Sequence, residues 1–67
     1  MNFQEKLLVL RNHYKLSQEE LAEQIGISRQ AVAKWEVGQS YPDIARLISL
    51  SDLFKVSIDK LVWKNFR

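Results

Sequence analysis

The chain has 67 residues, 46% of them hydrophobic, with two Trp, two Tyr and three Phe, which is enough for one small packed core and argues against disorder. It has no cysteine, so no disulfide and no thiolate metal site is available, and its longest apolar run, Leu7 to Leu10, is too short for a membrane span or a signal-peptide core. A formal net charge of +2 with a pI of about 9.2 favours polyanions without naming one, and residues 1–67 are expected to form a single cytoplasmic, all-α domain with no membrane association.

Asn2 and Glu5 form an Asn-x-x-Glu capping box that opens a first helix from about Phe3 to Tyr14. Phe3, Leu7, Leu10 and Tyr14 lie in a narrow arc of its wheel and are expected in the core, while Leu8 and Val9 point outward. His13, near the end of this helix, reads as a surface or capping residue.

Lys15 and Leu16 lead into the most informative stretch, residues 17 to 37. Ser17 caps a second helix, with Glu20 completing another capping box, and Leu21, Ala22 and Ile25 share its inner face. Gly26 suits a left-handed turn. Ser28 caps a third helix whose inner face is Val32 and Trp35. Ala22 is small where one helix must cross closely over the other. Counted from Gln18, small, glycine, aliphatic and large apolar residues fall at positions 5, 9, 15 and 18, which is the packing requirement of a helix-turn-helix.

Residues 37–42, with Gly38 and Pro42, form a loop, and Asp43 caps a fourth helix running to about Phe54. Leu47, Leu50, Ser51 and Phe54 share its inner face, with Ile44 and Ile48 at the margin. Ser51 fits a close helix contact better than a nucleophile. Ser57 caps a short fifth helix, Ile58 to about Lys64, whose Ile58, Leu61 and Val62 close the core. Trp63 and Phe66 follow among basic residues. A dimer contact through this end is favoured over simple capping of the core. No run alternates long enough to require a strand, so the architecture is a compact five-helix bundle.

With these motifs placed, the chain resembles the Cro/phage-repressor-type helix-turn-helix proteins of the xenobiotic-response-element family, over about residues 3 to 63. The resemblance rests on Leu16-Ser17-Gln18-Glu19-Glu20-Leu21-Ala22, Ile27-Ser28-Arg29-Gln30-Ala31-Val32, Lys34-Trp35-Glu36-x-Gly38, Tyr41-Pro42-Asp43 and Leu50-Ser51-Asp52-Leu53-Phe54. It implies a lambda-repressor-like domain that binds a palindromic operator in double-stranded DNA as a homodimer and regulates transcription, most simply as a repressor. It further implies that Ser28, Arg29, Gln30 and Lys34 face the major groove. The resemblance also implies that Gln18 contacts a phosphate and braces the reading helix, and that Arg11 and Glu36 form a salt bridge. Val37 departs from the family pattern, where many members have asparagine.

The residues support this independently. On a helix starting after Ser28, Arg29, Gln30, Ala33 and Lys34 lie opposite Val32 and Trp35. Arginine forks onto guanine O6 and N7 and glutamine onto adenine N6 and N7, while Ala33 suits a thymine methyl. Ser17 and Gln18 at the second helix, with Gln39 and Tyr41 in the later loop, are placed for phosphate contacts through side chains and backbone N–H groups. The acidic stretch 17–27, with a net charge of −3, requires Glu19, Glu20 and Glu23 to point away from phosphate.

An enzyme is not expected. There is one histidine, no cysteine, no phosphate-cradling glycine loop and no carboxylate pair in a plausible pocket, so no catalytic residue, metal, cofactor or small-molecule substrate is assigned. The rival reading is an antitoxin-like or anti-repressor protein-binding module on the same fold, with Leu8, Val9 and Trp63 as its contact surface.

Overall fold

The computed structural model describes residues 1–62 and contains five helices: α1 (Phe3–His13), α2 (Gln18–Ile25), α3 (Arg29–Glu36), α4 (Ile44–Phe54) and α5 (Ile58–Val62). Among the described residues there is no strand. Trp63, Phe66 and the expected end of the fifth helix at Lys64 lie outside them. No helix of the described residues is long and apolar enough to cross a membrane.

The helices start where local side-chain chemistry can satisfy their first N–H groups. Asn2 Oδ1 accepts from the Glu5 N–H at 2.9 Å while Glu5 Oε1 accepts from the Asn2 N–H at 3.2 Å. Ser17 and Glu20 repeat the arrangement at 3.0 and 2.8 Å. Ser28, Asp43 and Ser57 each accept one N–H three residues on. Each cap contributes about 1 kcal/mol. Helices of eight residues are still unstable in isolation, so packing must hold them.

That packing is a single core of Phe3, Leu7, Leu21, Ala22, Val32, Trp35, Leu47, Leu50, Phe54 and Leu61, drawn from all five helices. Burying each large apolar side chain stabilises by roughly 1.5–3 kcal/mol. α2 and α3 pack against one another, with α1 against α3 and α5, and α4 against α2 and α5. The molecule measures 30 × 24 × 22 Å.

Two expectations change and one holds. Tyr14 is not a core residue: it is the C-cap of α1 and stays 40% exposed. Its ring leans on Phe54 with centroids 5.4 Å apart, and its hydroxyl donates to the Phe54 carbonyl at 3.0 Å, which ties the ends of α1 and α4 together. Ile44 and Ile48 lie fully outside the core, not at its margin. Ser51 does serve a close contact, its hydroxyl donating to the Val56 carbonyl at 2.5 Å, where the chain turns from α4 to α5.

Two lysines end helices in the left-handed region, Lys15 with φ 59° and Lys55 with φ 60°. Each is followed by an aliphatic residue, Leu16 or Val56, packed on the core. The N–H of that residue turns back to a carbonyl five residues earlier, of Arg11 or Ser51. This is the closing geometry that glycine serves at the end of α2.

Candidate nucleic-acid interface

The turn between α2 and α3 is set by Gly26, which adopts φ 74° and ψ 38°. The Gly26 and Ile27 N–H groups both donate to the Ala22 carbonyl, which closes α2 and redirects the chain within three residues. Ala22 is buried at the crossing, and Val32 and Trp35 seat α3 against α2 and the core. Ser28 then starts α3, its hydroxyl oxygen accepting from the Ala31 N–H at 3.2 Å. Ser28 is therefore a helix cap first, with only its O–H left to donate outward.

The outward edge of α3 is as the pattern requires: Arg29, Gln30 and Lys34 are all exposed. Neither Arg29 nor Gln30 is folded back into the protein's interior. Ala33 departs from the expectation, being half-buried at the side of the edge. A helix bearing a guanidinium, an amide and an ammonium on one exposed side, anchored by a tryptophan on the other, offers the donor groups that base edges and phosphates accept.

Below this edge lies a part-buried polar cluster. Arg11 Nε donates to Glu36 Oε2 at 2.6 Å and its guanidinium reaches Oε1 at 3.3 Å. A third donation runs from Arg11 to the Leu16 carbonyl at 2.8 Å. The two side chains are only 13% and 6% exposed, so this is a nearly dry ion pair that pins the end of α3 to α1. Gln18, half-buried at the start of α2, joins it by donating from Nε2 to Glu36 Oε1 at 2.9 Å, while its Oε1 accepts from Arg29 at 3.5 Å. The Arg11–Glu36 pair stands as expected. The resemblance implies that Gln18 braces the reading helix, and its bond to Glu36 is such a contact, though no local rule names that partner.

The loop after α3 differs from its expected use. The Gln39 and Ser40 N–H groups both turn back to the Lys34 carbonyl, at 2.9 and 3.4 Å, so they close the helix and are not presented outward. Gln39 and Tyr41 keep exposed side chains, and the Tyr41 ring packs on Phe3 with centroids 4.8 Å apart. Gly38 has φ 78°, a conformation that favours glycine; a Cβ there would fall 2.5 Å from the Gln4 amide nitrogen, the far end of a flexible side chain that would have to move aside. Val37 caps α3 through its backbone and exposes its side chain.

A family model described as helix-turn-helix matches residues 7–61. The chain belongs to the helix-turn-helix family. Among curated relatives of this family, the transcriptional activator BcrR of Enterococcus faecalis is 48% identical over 62 residues, covering 92% of this chain and 30% of its own length. The phage CTXphi repressor RstR of Vibrio cholerae is 33% identical, with 91% of this chain and 54% of that protein covered. The chain thus spans between about a third and about half the length of these relatives. Among solved structures, the P22 c2 repressor in complex with a synthetic operator superimposes with a TM-score of 0.90 at 26% identity, covering 97% of this chain and 98% of that one. A Listeria innocua transcriptional regulator matches at 0.89 and 33% identity, over 98% of this chain and 62% of that one. The helix-turn-helix assignment and the five-helix architecture therefore hold together, and the helix-turn-helix proteins in this comparison are transcriptional regulators.

Proposed function

We propose that this chain binds double-stranded DNA sequence-specifically, laying α3 in the major groove so that Arg29, Gln30, Lys34 and the Ser28 hydroxyl meet base edges. Gln18, with Ser17, Gln39 and Tyr41, lies beside the groove and contacts the phosphates through side chains. The observation that carries this reading is the exposed Arg29–Gln30–Lys34 edge on a helix whose opposite side is buried through Val32 and Trp35. The near-complete superposition on a repressor held on its operator supports it.

Two copies on a palindromic operator would set their reading helices about 34 Å apart, one turn of DNA. Homodimerisation is part of this reading, with Trp63 and Phe66 as its candidate contacts. Repression by occupancy needs nothing beyond this binding step, and it is the action assigned here to the domain. A chromosome in the cytoplasm is the corresponding location.

Selection of bound sites from a random duplex pool tests the reading. A palindromic consensus is expected, with affinity for the recovered duplex falling steeply as salt rises, because each phosphate contact releases counterions. Recovery of no consensus, together with a flat salt response, would overturn it.

A further inference from the structure

The buried ion pair continues, through one amide, to the reading edge. Glu36 Oε1 accepts from Gln18 Nε2 at 2.9 Å, and Gln18 Oε1 lies 3.5 Å from the Arg29 guanidinium. A carboxamide has two orientations of nearly the same shape, related by exchange of oxygen and nitrogen. Here charges of opposite sign at the two ends choose between them. Turned over, the amide oxygen would face the Glu36 carboxylate and the NH2 group would face a guanidinium, and both contacts would be repulsive. The Glu36 side chain is 6% exposed, so solvent screens its preference little.

We propose that Glu36 is a positioning residue for Arg29. By fixing the orientation of the Gln18 amide, it keeps an acceptor oxygen beside the guanidinium and biases which edge Arg29 presents to its base pair. At 3.5 Å the contact with Arg29 is long, so it contributes direction more than strength. Direction matters because a long exposed side chain loses rotamer freedom on docking, and a partner that narrows its choices beforehand leaves less to lose. The second Gln18 N–H stays available to a phosphate, so positioning and phosphate contact do not compete. Arg11 holds the Glu36 carboxylate from its other side and so fixes where the anion sits. This role rests on the DNA-reading function proposed above.

The test measures affinities of the full chain for the duplex recovered by selection and for each of its single base-pair variants. Arg29→Ala is expected to lower discrimination by about tenfold at one base pair. Glu36→Gln is expected to lower discrimination at that same base pair by about threefold, leave other positions unchanged, and add nothing when Arg29 is already alanine. Where Glu36→Gln melts too low to measure, Gln18→Leu carries the test, because it removes the amide and leaves the Arg11–Glu36 pair in place. It should weaken all sequences and also lower discrimination at the Arg29 position. Uniform weakening by both variants, with discrimination intact, would overturn the positioning role while leaving DNA reading standing. No base preference lost in Arg29→Ala would instead remove the reading role of Arg29, and this proposal with it.

Discussion

The Arg11–Glu36 pair makes a sharp prediction because its two halves are not equivalent. Replacing Arg11 with Met strands a carboxylate that is 6% exposed, leaves it only the Gln18 amide as partner, and removes the donor to the Leu16 carbonyl. Breaking a buried pair from one side costs about 3–5 kcal/mol, and Arg11→Met belongs at the upper end. Glu36→Met strands the guanidinium, but Arg11 is 13% exposed and keeps its bond to Leu16, so the lower end applies. Removing both residues discards both buried charges and leaves one carbonyl and one amide to find water, about 1–2 kcal/mol. A domain of this size has roughly 3–10 kcal/mol of stability in total, so Arg11→Met should be substantially unfolded while the double variant folds. Urea denaturation followed by far-UV circular dichroism for the wild type and three variants gives the coupling directly. Additive losses, with the double variant the least stable of all, would refute the reasoning, since they would mean the pair contributes net stability from each partner alone.

Three further outcomes follow from other parts of the structure. Trp35→Ala removes a side chain only 5% exposed and should cost about 3–5 kcal/mol, read as a large drop in melting temperature; an unchanged melt would mean Trp35 does not anchor α3. Arg29→Ala and Gln30→Ala should each cost about 1–3 kcal/mol of binding and relax preference at one base pair, with the circular dichroism spectrum unchanged. Equal weakening on every sequence would count against base reading by these residues. Lys55→Gly relieves a left-handed conformation, φ 60°, at the end of α4 and should stabilise by about 0.5–1 kcal/mol; a lower urea midpoint would contradict that.

What was legible in the sequence is what depends on residues close in the chain. The caps at Asn2, Ser17, Ser28 and Asp43 and the corner at Gly26 each follow from side chains within about three positions, and each helix start falls where such a rule places it. The buried faces of α2 and α3 follow from periodicity in the same way. Contacts between distant residues carry no such signal. Tyr14 sits on the apolar arc of α1, yet its hydroxyl finds a carbonyl on α4, and a polar tip with a partner at the rim keeps the ring out of the core. The left-handed Lys15 and Lys55 were missed because neither is glycine. The clue available was an aliphatic residue directly after each helix end, which packs on the core and pulls the chain round. Arg11–Glu36 came from family resemblance, not spacing, and the partner of Gln18 became visible only once three helix ends were placed together.

The acidic side of α2 poses the last physical question, because a chain proposed to meet phosphates carries a net charge of −3 over residues 17–27. Glu20 is committed to the capping box with Ser17. Glu19 and Glu23 are exposed, one turn apart on the same side of α2, and by helical period lie opposite the buried Leu21. At 1.5 Å per residue, Glu23 sits about 8 Å along the axis from Gln18, close to one Debye length at physiological salt. Its repulsion on a DNA backbone docked at Gln18 is therefore weakened but not abolished at physiological salt, and it grows as salt falls. Neutralising both residues as Glu19→Gln and Glu23→Gln should raise the association rate several-fold at low salt, with the gain vanishing as salt rises, while base preference stays constant. Stopped-flow association on the selected duplex at a series of salt concentrations would show this. A change in base preference would mean that these carboxylates meet the DNA, and the orientation assigned to α2 would then be wrong.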